Sequence, residues 1–118
     1  MGIKITNDRE EAVKVGYVAT DWNYWLSFED YVKKLENWKV RALQNDDDVI
    51  GAIYQKGDEL HVSVLKPWRK RWLTKPVYRE LFVGKRVTTK VTPGHDFMYG
   101  ILERLGFKLA NDGFLVKE

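Results

Sequence analysis

Apolar residues change their period several times along this chain, and each change marks an element. Ile3 and Ile5 alternate with Lys4 and Thr6 as a short strand, and Asn7-Asp8 then offers a helix cap with Glu10 and Glu11 just behind it. Ala12, Val13, Val15, Gly16, Val18 and Ala19 predict a buried face on that first helix. The aromatic segment Asp21-Trp22-Asn23-Tyr24-Trp25 breaks it. Ser27 caps a second helix, with Phe28, Tyr31, Val32 and Leu35 as its stripe and an end expected near Trp38.

From Val40 the period falls to two. Val40, Ala42 and Gln44 alternate, Asn45 to Asp48 turns the chain, Val49 to Gln55 runs back, and Lys56-Gly57-Asp58 turns it again into Leu60 to Leu65. Pro67 stops this three-stranded meander. Thr74 caps a helix from Lys75 to Val83 that tolerates Pro76 in its first turn and buries Val77, Leu81 and Phe82, with Gly84 as its stop. Arg86 to Val91 is rich in strand formers and closes at Pro93-Gly94. His95 to Leu105 is a helix with Phe97, Met98, Ile101, Leu102 and Leu105 inward, ended by Gly106. Phe107 to Leu109 and Phe114 to Val116 flank an Asn111-Asp112-Gly113 turn as a hairpin. Antiparallel strands early and a strand-helix-strand crossover late predict an α/β (α+β) fold with a mixed sheet and helices on both faces.

Composition narrows the chemistry. With 118 residues the chain is expected to be one domain, 1–118, and five Trp, six Tyr and five Phe argue for a packed core rather than disorder. Cysteine is absent and histidine occurs twice, which excludes thiolate catalysis and disulfides and leaves no expected metal site. Asp46-Asp47-Asp48 lacks the Gly and distal Glu of a calcium loop and reads as a polar turn. No apolar run is long enough to span a bilayer and the start lacks a signal-peptide pattern, so a non-membrane, cytoplasmic location is expected. The net charge of +3 is mildly basic. Its placement matters more, because Lys66, Arg69, Lys70, Arg71 and Lys75 crowd the loop after the meander.

The order of elements, together with Val64-Leu65-Lys66-Pro67-Trp68-Arg69-Lys70-Arg71-Trp72-Leu73-Thr74 and Leu105-Gly106-Phe107, resembles the GNAT superfamily of N-acetyltransferases. The likeness spans nearly the whole chain in topology and Val49 to Phe107 in motif. In that family a strand valine leads through Arg or Gln to two small residues at the start of a helix. Val64 and Arg69 match, while Trp72 and Thr74 stand where the small residues belong. The family's late helix starts with Asn, carries a Tyr and ends like Leu105-Gly106-Phe107. His95 takes the Asn position and Leu102 the Tyr position. Small members with altered motifs also occur among bacteriophage proteins, some resembling virion components, so a phage origin fits the divergence. Host cytoplasm or virion would then be the location.

The resemblance implies a mixed, mostly antiparallel sheet of six to seven strands with about four helices on both faces. It also implies acetyl-CoA as co-substrate, transferred by direct attack of an amine on a small molecule or protein. Val64, Leu65, Arg69, Lys70, Arg71, Trp72, Leu73, Thr74 and His95 would contact the cofactor. Backbone N–H groups near Val64 or Leu65 would polarise the carbonyl, and those from Arg71 to Lys75 would receive the pyrophosphate at a helix N-terminus. Glycines normally favour such a loop because they reach positive φ without strain. Trp72 can replace one only where the loop runs at negative φ. Trp68 and Trp72 otherwise read as covers on the core edge, and the basic residues as a solvated rim.

For the chemistry itself, Glu59, His61 and Ser63 share one face of their strand. His61 is the candidate base, since an imidazole accepts a proton near neutrality without special tuning. The alternative is a half-exposed strand histidine with no role. Tyr99, one helical turn before Leu102, is the candidate acid, against a buried packing tyrosine. His95 otherwise caps its helix. Two further functions stay open: a non-catalytic GNAT-fold structural or interaction protein, with self-association or a protein partner, and nucleic-acid binding through Lys66 to Lys75. A net charge of +3 is low for the second of these.

Overall fold

Small residues on one helix and a hairpin turn of two residues set the positions of everything else. A computed structural model describes residues 2–19, 26–69, 71–90, 97–110 and 113–117. They form β1 (Ile3–Thr6), α1 (Arg9–Ala19), α2 (Phe28–Lys34), β2 (Lys39–Asn45), β3 (Asp48–Lys56), β4 (Glu59–Val64), a 3-10 turn (Lys66–Trp68), α3 (Lys75–Phe82), β5 (Val87–Thr89), α4 (Phe97–Arg104), β6 (Lys108–Leu109) and β7 (Leu115–Lys117). The order along the seven-stranded sheet is β1-β2-β3-β4-β5-β7-β6. All neighbours are antiparallel except β4 and β5, which α3 connects and which run parallel. This is the mixed sheet expected from the strand pattern. The last hairpin folds back so that β7, not β6, lies against β5.

Two cores sit on opposite faces. Val77, Leu81 and Phe82 of α3 and Leu102 of α4 pack with Leu43, Ile50, Ile53, Leu60 and Val64. On the other face Ala12 and Val13 of α1 and Tyr31 of α2, with Leu35 just after it, pack with Val40, Ala42, Ala52 and Tyr54. The register shifts between Leu43, opposite Gly51, and Gln44, opposite Val49, which leaves Ile50 as the extra residue of a bulge. Ile50 and Ile53 therefore share a face although they lie three residues apart.

Several expectations are corrected. Val18 is 74% exposed, because α1 turns Ala12, Val13, Gly16 and Ala19 to the sheet and places Val18 on the far side. Phe28 and Val32 are also exposed, leaving Tyr31 and Leu35 as the inward residues of the second stripe. Ser27 caps α2 as expected, its Oγ accepting from the Asp30 N–H at 3.2 Å. That helix ends at Lys34 rather than near Trp38. The following residues tighten into bonds from Leu35 N–H to Val32 O and from Trp38 N–H to Leu35 O, and the Arg9 guanidinium takes the Leu35 and Trp38 carbonyls, both at 2.6 Å. β5 is shorter than expected; Val91 lies outside the described residues.

Gly16 lets α1 approach the sheet closely. A Cβ there would stand 2.0 Å from the Tyr54 hydroxyl and 2.9 Å from Ala52 Cβ. Gly16→Ala should therefore lose stability by about 1–3 kcal/mol from overpacking, against a propensity gain of about 1 kcal/mol, so urea unfolding should show a net loss.

Candidate functional site

β4 carries chemistry on one face and core on the other. Leu60 and Val64 enter the α3/α4 core, while His61 and Ser63 lie opposite Tyr54 and Ala52, which belong to the α1/α2 core. His61 and Ser63 therefore face α1 and α2. His61 Nε2 lies 2.5 Å from Glu59 Oε2, and both side chains are 32% exposed. A carboxylate only accepts, so Nε2 carries the hydrogen and the neutral ring has its lone pair on Nδ1. The Trp38 ring stands against the imidazole, with centroids 5.7 Å apart at 60°.

Beside His61 is a cavity of about 230 Å³ lined by Tyr31, Lys34, Leu35, Trp38 and Tyr54. The Tyr31 and Tyr54 hydroxyls are hydrogen-bonded to each other. These residues were not singled out by sequence reasoning for a site. Tyr54 was accessible, since a two-residue turn between Lys56 and Glu59 sets it across from His61. Trp38 was not, because its position depends on how Arg9 and the end of α2 meet.

The exit of β4 is governed by the alternation of an antiparallel ladder. Leu65 N–H donates to Ile50 O at 2.9 Å. Leu65 therefore cannot polarise a carbonyl, contrary to expectation, and successive residues alternate, so the N–H groups of Val62 and Val64 point away from β3 and toward β5. Among the described residues β4 and β5 are in register at Glu59↔Thr88, supported by Thr88 N–H to Asp58 O at 2.7 Å. The Val64 side chain is core; only its backbone faces the split.

After β4 the loop closes largely on itself. Arg71 and Trp72 N–H both donate to Trp68 O, at 3.0 and 3.1 Å, and Thr74 N–H donates to Trp72 O at 3.0 Å. These three amides, expected to face an anion, are already used. Among the described residues nothing accepts from the N–H groups of Leu73, Lys75 and Val77, and Pro76 has none to offer. Thr74 has the backbone of an N-cap but makes no side-chain cap bond, and its buried Oγ1 is without a hydrogen-bond partner. Among the described residues Asp46 is the only non-glycine at positive φ, so Trp72 sits in its loop without left-handed strain. Trp68 and Trp72 pack against the α3/α4 core, as their reading as edge covers predicts; Leu73 packs there too, and the Arg71 guanidinium lies 4.3 Å over the Trp68 ring.

Arg69 braces the loop. Its Nε donates to Val64 O at 3.1 Å and an Nη to Ala19 O, at the last residue of α1, at 3.0 Å. A concavity of about 370 Å³ opens between Thr74, Lys75, Tyr78 and Arg79 of the α3 start and Leu105. Tyr99 is 41% exposed, not buried packing, and α4 lies on the face opposite His61 with Leu102 in the core. The structure thus brings Glu59, His61 and the Val64 amide onto one strand and does not bring Tyr99 to them. Lys70 and His95 lie outside the described residues.

The fold has counterparts among solved structures. The ribosomal-protein-S18-alanine N-acetyltransferase from Escherichia coli is 14% identical with a TM-score of 0.64 over 97% of this chain and 88% of its own. An acetyltransferase from Thermus thermophilus gives 13% and 0.68 over 99% and 97%. The PaiA N-acetyltransferase from Thermoplasma acidophilum, in complex with coenzyme A, gives 13% and 0.61 over 98% and 97%. No family model and no curated protein sequence matches the chain. The fold is that of the GNAT acetyltransferases.

Because Arg69 ties three segments together, Arg69→Ala should lower stability by about 1–3 kcal/mol in chemical denaturation. Arg69→Lys should recover only part of this, since an ammonium lacks the guanidinium fork.

Proposed function

We propose that this chain transfers an acyl group, acetyl in the first instance, from an acyl-CoA thioester to an amine by direct attack. The observation that carries this is the Glu59–His61 pair on the strand whose Val64 N–H points into the β4–β5 split. The GNAT fold supports the co-substrate. Leu73, Lys75 and Val77 N–H, the orphaned Thr74 hydroxyl, and the cations of Lys75 and Arg79 fit an anionic group at the α3 N-terminus. These residues would hold the pyrophosphate arm, in place of the Arg71, Trp72 and Thr74 amides.

Bound acyl-CoA would supply an electrophilic carbonyl carbon, where the bond to the amine nitrogen forms as the bond to sulfur breaks and the CoA thiol leaves. The chain's own residues prepare the amine and the carbonyl. His61 Nδ1 takes the proton that the attacking nitrogen must lose, and Glu59 keeps the ring oriented and stabilises it when protonated. The Val64 N–H is the donor for the carbonyl oxygen. Tyr99 is exposed on α4, and the thiolate takes its proton either from it or from water. Unchanged activity in Tyr99→Phe would assign that step to water.

A second reading is favoured by the closed loop. With the Arg71, Trp72 and Thr74 amides engaged and Leu102 at the position of the family's tyrosine, the chain would be a non-catalytic interaction or structural protein. The two readings separate in solution. Acyl transfer expects acetyl-CoA to raise the melting temperature by several degrees, and no shift at millimolar ligand would overturn it. His61→Gln should then reduce kcat by about 10²- to 10⁴-fold while leaving that shift intact.

A further inference from the structure

The cavity beside His61 restricts what can present an amine to the ring. Building on the acyltransferase reading, we propose that the acceptor is a small monoamine whose amino group is carried on an aromatic or branched apolar body, and that acceptors with a second cationic centre are excluded. The walls are the rings of Tyr31, Trp38 and Tyr54 with Leu35. The two tyrosine hydroxyls are bonded to each other, and the surface that the walls expose to the cavity is almost entirely carbon. At about 230 Å³ the space is smaller than the roughly 300–1,000 Å³ of pockets for drug-sized ligands.

Charge decides the rest. An ammonium pressed on these walls would lose hydration without a counter-ion. Among the described residues the lining contains no carboxylate, and Glu59, behind the imidazole, has Oε2 on His61 Nε2. The lining instead carries Lys34, and Lys56 Nζ stands 5.9 Å from the centroid of the Trp38 ring. The aromatic wall best suited to attract a second ammonium already holds one, and like charges repel. The Trp38 main chain is held by its N–H to Leu35 O at 3.0 Å and by the Arg9 bond to its carbonyl at 2.6 Å, and its ring is held between the His61 imidazole, centroids 5.7 Å apart, and Lys56. A preset ring favours a rigid apolar partner.

The test measures calorimetric binding to the free protein, and thiol release with acetyl-CoA, for phenethylamine, isoamylamine and spermidine. The apolar amines should bind and be acetylated, and spermidine should do neither. Trp38→Ala should weaken phenethylamine binding on the order of tenfold while the acetyl-CoA melting shift stays. Trp38→Phe, which keeps a ring on the same turn, should be intermediate and serves where the alanine variant does not fold. The double variant Lys34→Glu, Lys56→Glu should gain spermidine binding. Preference for spermidine, failure of both apolar amines to bind, or unchanged affinity in the Trp38 variants would each overturn the proposal. Apolar-amine binding that depends on Trp38, with neither turnover nor a melting shift by acetyl-CoA, would sustain the cavity's selectivity and overturn acyl transfer.

Discussion

The sheet hangs on the rung between β4 and β5. On one side lie β1 to β4, braced by α1 and α2; on the other lie β5, β7 and β6. Among the described residues the ladder joining the two halves is Glu59↔Thr88, with Asp58 O taking the Thr88 N–H and the Asp58 carboxylate paired with Arg86. If that ladder ran the length of β4, the Val62 and Val64 amides would be consumed by β5. Among the described residues β5 ends at Thr89, and its pairing with β4 engages neither amide.

Much of this architecture is written in local patterns. Two turns, Asn45 to Asp48 and Lys56 to Asp58, punctuate a period-two stretch and make the meander unambiguous. The two-residue period of the strand is why His61 and Glu59 could be placed on one face from the sequence, and the tight turn at Gly57 and Asp58 sets Tyr54 opposite His61. Features that depend on tertiary contact were not legible. Val18 fits the apolar pattern of α1, yet the narrow stripe of Ala12, Gly16 and Ala19 decides which side the helix turns inward. The end of α2 was misplaced because Arg9, about 26 residues away in sequence, completes its carbonyls.

The loop after β4 shows the same division in chemical terms. Its basic residues and tryptophans could be listed from sequence, but their duties differ. Arg69 looks inward to main-chain carbonyls, Arg71 lies on Trp68, and the indoles cover core. The residue pattern suggested a row of amides awaiting an anion; the fold spends three of them on internal turns. What remains at the α3 N-terminus is fewer donors and a buried hydroxyl rather than a glycine-lined cradle.

The two-residue turn at Gly57-Asp58 has a consequence for how such a chain can change over time. Glu59, His61 and Tyr54 are held in relation by one hairpin, so an insertion or deletion of a single residue there would send the imidazole into the opposite core. In the loop after β4, main-chain bonds, the Arg69 side chain and the packed Trp68, Trp72 and Leu73 hold the path, so exposed residues such as Lys66 and Arg71 can be exchanged without losing it. Drift in the loop and constancy of length in the hairpin would be the expected record of descent for this fold.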